Sequence, residues 1–257
     1  MKTNWTLLIG LFITVNLATA QDTLYVYQGS AELFKLETSA VDSITINYVY
    51  PGFVSYDGYL YHYVTIGTQT WMVENLRTTH YRNGETILNI TDNLTWRDCF
   101  SGARCNHSNN AANGAKFGYL YNWYAVADTR NIAPPGWHVA TDAEWTILTN
   151  YLSTNAGISL NAPKALASTT DWTINTVVGA IGNNLTINNS TRFNALPGGY
   201  RYSGDGTSKG LGYLGYWWTS TDRNNTPYYR YMLSDYSEVY KFNEYKGMGM
   251  SVRCVRD

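Results

Sequence analysis

The side chains able to do acid–base, nucleophilic or metal chemistry are few and scattered along the 257 residues. The four histidines, His62, His80, His107 and His138, fall at no spacing that suits a metal or a catalytic triad. Cys99, Cys105 and Cys254 fit no zinc pattern. Asp142 and Glu144 could form an acid–base pair, but both sit at the start of an apolar-periodic stretch. Thr141 with Glu144 three residues on reads as a capping box, so helix capping accounts for the two carboxylates. No catalytic residue, metal ligand or cofactor is therefore assigned, and the chain is read as non-enzymatic.

Recognition chemistry is better represented. "YRYSGDG" at 200–206, "DRNNTPYYR" at 222–230 and "SDYSEVYKFNEY" at 234–245 mix Tyr, Asn, Asp and Arg in turn-forming contexts. Such loops suit ligand contact, because Tyr supplies rigid amphipathic area and short polar residues supply adaptable hydrogen bonds. The candidate ligand residues are Tyr200, Arg201, Tyr202, Asp205, Asp222, Arg223, Tyr228, Tyr229, Tyr236 and Glu238. They would serve a glycan or protein ligand. "GYLGYWWTST" at 212–221 reads as a strand, whose neighbouring side chains point to opposite faces. One of Trp217 and Trp218 is then expected in the core and the other on the opposite face, under a loop or toward a ligand. Both are read as mainly structural, with Tyr216 sharing the face of Trp218.

Short strands must carry these residues. From Val54 the chain alternates apolar and polar residues, and Asp57-Gly58, Gly67-Thr68 and Asn83-Gly84 mark tight turns. The clearest helix starts at Thr141, with Trp145, Leu148 and Leu152 at helical spacing. Residues 119–128 are expected to form a second helix, residues 155–196 long loops tied down by Trp172, Phe193 and Leu196, and the last thirty residues antiparallel strands ending at Val252 to Val255.

The N-terminus reads as an export signal: Lys2, an apolar run from Leu7 to Val15, and Ala18-Thr19-Ala20 as a small-x-small cleavage site. That run is short for a membrane span, and no Cys follows the site to take a lipid. The expected organisation is a signal peptide at 1–20, a β-hairpin segment at 21–50 and one domain at 51–257. The mature chain is then secreted or displayed at the cell surface, with no transmembrane segment. Charged residues make up 14%, against roughly 25% in an average protein. The net charge of −1 offers nucleic acid no electrostatic footprint. In an oxidising compartment three cysteines allow at most one internal disulfide.

Six blocks in order, "TIGTQTWMVENLR", "FGYLYNWYAV", "PPGWHVATDAEW", "FNALPGGYR", "GYWWTST" and "GMSVRCVRD", resemble the Fibrobacter succinogenes major paralogous domain from about Val64 to Asp257. That family is associated with secreted and surface proteins of Bacteroidetes-like bacteria. "ATDAEW", "YWWTS" and "SVRC" are also similar, more distantly, to the formylglycine-generating-enzyme version of the C-type lectin-like fold. The resemblance implies an α+β, C-type lectin-like fold with mixed, mainly antiparallel sheets, one or two helices and long loops, and a ligand face built from the C-terminal part. It further implies that a disulfide would join Cys254 to Cys105 rather than Cys99. The formylglycine enzymes need two active-site cysteines near the chain end, where this chain has Cys254 alone. The calcium-binding motifs of C-type lectins are also missing. The fold is implied; the activity is not. Beside binding, a structural role in a surface assembly stays open.

Overall fold

The structure, a computed structural model, describes residues 52–154 and 161–257, and the backbone alone of 3–10, 13–16, 23–28, 31–37 and 41–49. The chain divides into two compact units, Met1–Phe53 and Val54–Asp257. In the first, β1 (Thr3–Gly10) pairs in parallel with β5 (Val41–Val49). There β2 (Ile13–Asn16), β3 (Thr23–Gln28) and β4 (Ala31–Glu37) form an antiparallel sheet. The expected cleavage site at Ala18–Ala20 lies outside the described residues. No helix of the described residues is long and apolar enough to cross a membrane.

The second unit is α+β and mainly β. Asp57-Gly58 and Gly67-Thr68 close hairpins joining β6 (Gly52–Tyr56), β7 (Tyr59–Ile66) and β8 (Gln69–Met72), with Asp57, Gly58 and Gly67 at positive φ. The small strands β9 (Leu88–Asn89), β10 (Ala103–Cys105) and β11 (Leu120–Tyr121) make a three-stranded sheet. Then β12 (Trp137–Val139), β13 (Tyr200–Arg201), β14 (Ser208–Lys209), β15 (Leu214–Trp218), β16 (Tyr228–Leu233), β17 (Tyr240–Asn243), β18 (Ser251–Val252) and β19 (Cys254–Arg256) follow. The two main sheets run β12-β19-β8-β7-β6 and β17-β16-β15-β18. Most pairings are antiparallel, but β18 runs parallel to β15, and Arg253 then separates it from β19 in the other sheet. The expected antiparallel C-terminal run is thus split between two sheets. Fully buried Arg253 holds the crossing point, donating to the carbonyls of Met72, Val73 and Phe193 and to Asn75 Oδ1.

The described residues hold five α-helices: α1 (Asn93–Arg97), α2 (Ala111–Phe117), α3 (Trp123–Val126), α4 (Asp142–Thr154) and α5 (Ala162–Leu166). The capping box is made in full, with Thr141 N donating to Glu144 Oε2 at 2.7 Å and Glu144 N to Thr141 Oγ1 at 3.2 Å. Trp145, Leu148 and Leu152 form the buried stripe of α4. Trp145 packs on Trp71, Phe193 and Trp217 with centroids 5.1, 5.6 and 5.9 Å away. Each such side chain contributes about 1.5–3 kcal/mol through burial.

Residues 119–128 do not form one helix. Leu120–Tyr121 pair with β10, and Asn122 then caps the four-residue α3 while accepting from Ala103 N and donating to Ser101 O. The loop region 161–196 contains α5, begun by Asn161 as its cap. Lys164 in that helix is buried and donates to the carbonyls of Ile181 and Asn183 and to Asn188 Oδ1. Trp172 and Phe193 anchor this region in the core; Leu196 is half-buried.

Candidate functional site

The β15–β17 register collects aromatic rings on one face of the four-stranded sheet. Tyr216 lies opposite Tyr231 and Trp218 opposite Tyr229, while Tyr229 faces Phe242 and Tyr231 faces Tyr240. Because strand side chains alternate, all six project to the same side. Tyr200 of β13 stacks on Tyr216 at 5.0 Å and 10°. From there the row continues through Tyr231 at 5.3 Å, Tyr240 at 5.1 Å and Tyr236 at 5.6 Å. Exposure grows along it: Trp218 is 0% and Tyr229 6% exposed, Tyr216, Tyr231 and Tyr240 are half-buried, and Tyr236 and Phe242 reach 46% and 57%. The row begins as core and emerges as surface at β17, the sheet's edge strand.

Burial raises three of these phenols. It pushes Tyr216 up to about 12, helped by the neighbouring Tyr200, Tyr231 and Glu244. Burial, then Tyr216 and Glu244, carries Tyr229 further above the ordinary tyrosine range, and burial raises Tyr231. Tyr216, Tyr229 and Tyr231 therefore stay protonated at physiological pH, and the row is a set of flat apolar faces edged by hydroxyls that both donate and accept hydrogen bonds.

The sheet's other face is structural. Arg230 Nε donates to Asp142 Oδ1 at 2.8 Å and Lys241 Nζ to Asp142 Oδ2 at 2.7 Å, tying β16 and β17 to α4. Asp142 was expected to serve the helix cap, yet its carboxylate is spent on this ion-paired cluster, and Glu144 alone makes the box with Thr141. Trp217, on the same face, donates Nε1–H to Asn75 Oδ1 at 2.9 Å, and Trp218, on the opposite face, to Tyr121 O at 2.9 Å. Both tryptophans are fully buried, so neither reaches a ligand. Tyr216 and Trp218 do share a face.

The ten residues expected to bind ligand do not form one site. Arg201 is a correction: it is 1% exposed and its guanidinium donates to the carbonyls of Gly206, Ile90, Thr91 and Asp92 and to Asn93 Oδ1, so it clamps the 90–93 segment to the β13–β14 turn. Tyr229 is a second correction, buried at the root of the row. Tyr200 and Tyr236 belong to the row. Tyr202 and Asp205 sit in the β13–β14 turn, where Asp205 accepts from Thr207 N and Oγ1 and Lys209 Nζ lies 4.6 Å from the Tyr202 ring. Asp222 lies 3.5 Å from Lys246, and Arg223 donates to Asn243 Oδ1 at 3.3 Å. Tyr228 is on the other face, 4.0 Å below Lys241 Nζ. Glu238 is exposed beside the groove between α4 and α5. Tyr231, Tyr240 and Phe242 were missed, although "YYRYML" and "YKFN" carry them at the i, i+2 spacing of one strand face.

The remaining chemistry is dispersed. His62 pairs with Glu74, His80 with Asp57, and His107 faces the Lys209 carbonyl, while His138 lies between Glu144 and Asp257 at 2.7 Å from each. The expected Cys105–Cys254 disulfide is not formed: all three cysteines are free. Cys105 packs with Trp96, Ala103 and Leu120, whereas Cys254 lies in the larger core cluster. Burial pushes their thiols up to about 11 and about 12 respectively.

No curated protein and no solved structure matches this chain. The model of one family does match, over residues 64–256, a span that takes in the four-stranded sheet, α4, the whole aromatic row and β8, β12 and β19 of the five-stranded sheet. On that match the chain belongs to the Fibrobacter succinogenes major domain family.

Proposed function

We propose that this chain is an exported, non-enzymatic binding protein that recognises a glycan through the tyrosine row, on a domain of C-type lectin-like architecture. The observation that carries the reading is the emergence of Tyr231, Tyr240, Tyr236 and Phe242 from the core onto the edge of the sheet. A pyranose ring has apolar C–H faces and a rim of hydroxyls, and a row of phenols offers the matching apolar plane and hydrogen-bonding edge. Neighbouring rings brace one another, Tyr229 beside Tyr231 and Phe242 and Tyr231 against Tyr240, so little side-chain freedom is lost on binding. The charge, apolar run and small-x-small pattern of residues 1–20 read as an export signal, which would bring the protein to extracellular glycans, and this supports the same reading. The lone Cys254 near the chain end argues against formylglycine-type catalysis.

A glycan array probed with the chain beginning at Gln21 tests the reading. Phe242→Ala and Tyr240→Ala should each weaken binding to the best array ligand by about tenfold or more, equivalent to about 1.4 kcal/mol per decade. Their melting temperatures should change little, because both side chains lie at the outer edge. Retained affinity in both variants sinks the proposal. A second reading rests on β17 as an exposed edge strand, which could pair with another chain in a surface assembly. Concentration-dependent self-association that both substitutions abolish would favour it.

A further inference from the structure

A second concavity lies apart from the tyrosine row, bounded by the end of α1, the Cys99-Phe100 turn, α3 and the Tyr245–Gly247 segment. It encloses about 450 Å³, inside the roughly 300–1,000 Å³ range of small-molecule sites. Phe100 and Tyr245 line it and are 78% and 70% exposed, so two open rings face the same concavity. Tyr124 supports Phe100 edge-on at 6.3 Å and 76°.

The polar lining is one-sided. Arg97 and Lys246 contribute cations, Ser203 and Asn225 neutral hydrogen-bonding groups, and no lining residue is acidic. Asp98 and Asp222 hold the two cations from outside the cavity and leave donors over. Arg97 engages Asp98 through Nε and Nη2, so Nη1 has no hydrogen-bond partner among the described residues. Lys246 Nζ meets Asn225 Oδ1 at 3.1 Å and Asp222 at 3.5 Å, which occupies two of its three N–H groups. Lys246 also lies 4.8 Å from the Trp123 ring, which fixes its ammonium at the rim.

We propose that this cavity is a separate binding site for an acidic sugar unit, a uronic acid whose carboxylate is met by Arg97 and Lys246 and whose ring lies against Phe100 and Tyr245. The paired cations select the carboxylate, the two open rings select a flat apolar face, and Ser203 and Asn225 serve sugar hydroxyls. An acidic peptide would satisfy the cations but make poorer use of the rings.

Cys99 lines the cavity and is half-exposed, whereas Cys105 and Cys254 are buried, so the cavity has its own reporter. The rate at which iodoacetamide modifies Cys99 is measured by peptide mass spectrometry in the full chain. The rate is followed with tri-galacturonate, with its neutral methyl ester and with triglutamate. Tri-galacturonate should slow modification saturably, and the ester and the peptide should each need about tenfold more for the same effect. The combined Arg97→Gln and Lys246→Gln variant should lose the protection, while Phe242→Ala, which alters only the tyrosine row, should keep it. Calorimetric titration of the same three ligands gives the ranking independently of thiol reactivity. Absence of tri-galacturonate binding in that titration overturns the proposal, as does equal binding of the ester or tighter binding of triglutamate. Loss of the tyrosine-row function leaves this result unaffected.

Discussion

Trp217 and Trp218 occupy opposite faces of β15, and both faces are core. Each indole N–H is satisfied, one by Asn75 and one by the Tyr121 carbonyl. Replacing either by Ala should cost about 3–5 kcal/mol, a large part of the roughly 5–15 kcal/mol that stabilises a domain. Thermal melts of the two single variants should show comparable, severe losses; a mild loss in either would place that ring at a surface. His138 behaves differently because it is half-exposed. Its hydrogen bond to Glu144, against the opposing effect of burial and with further help from Asp257, raises its pKa to about 9. A histidine raised in the folded state stabilises fully below its ordinary value of about 6.5, and that contribution disappears as pH climbs through about 9. Burial pulls the Glu144 carboxyl upward but is outweighed by hydrogen bonds from His138 and Thr141, so its contribution fades only on acidification. The melting temperature should therefore fall more between pH 6.5 and 9 in the native chain than in His138→Gln. Parallel pH profiles for the two would remove His138 from the stability of α4.

At the scale of elements, α4 was the most legible part of the sequence, because its cap and its apolar stripe are both local. Thr141→Ala removes the side-chain half of the capping box and should cost about 1 kcal/mol, seen as a lowered denaturation midpoint with an unchanged slope. No loss would mean that the Asp142 pairs with Arg230 and Lys241 hold the helix start unaided. The hairpins at Asp57-Gly58 and Gly67-Thr68 were legible for the same local reason. The stretch 119–128 was not, since its aromatic-rich run suits a strand or a helix equally. What divides it is the side chain of Asn122, whose partners at Ser101 and Ala103 lie about twenty residues back in the chain. The "YKFNEY" stretch reads both as strand and as binding loop, and only its pairing with β16 makes Tyr240–Asn243 the edge strand of a sheet.

For the molecule as a whole, the cysteines give a direct check. The folded chain should react with a thiol reagent at Cys99 alone, and at all three positions once denatured, because burial keeps Cys105 and Cys254 protonated and out of reach. Native-state reaction at Cys254, or a denatured chain with one free thiol, would contradict this packing. The sequence by itself determined the family, the α+β class with its mainly antiparallel sheets, the capped helix and the turns. The family and the α+β class follow from the resemblance that the six ordered blocks carry, and the capped helix and the turns from interactions that close within a few residues. The tertiary structure alone decided which polar side chains face outward. Arg201 looks like a ligand contact in "GGYRYSG" and is instead a buried clamp on carbonyls at Ile90, Thr91 and Asp92. Tyr240 and Phe242, in a stretch read as a binding loop but not singled out there, become the exposed end of an aromatic row begun by Tyr200. Their placement depends on strand register and on partners tens of residues away, and no local pattern of apolar and polar residues encodes which of several strands a given face will meet.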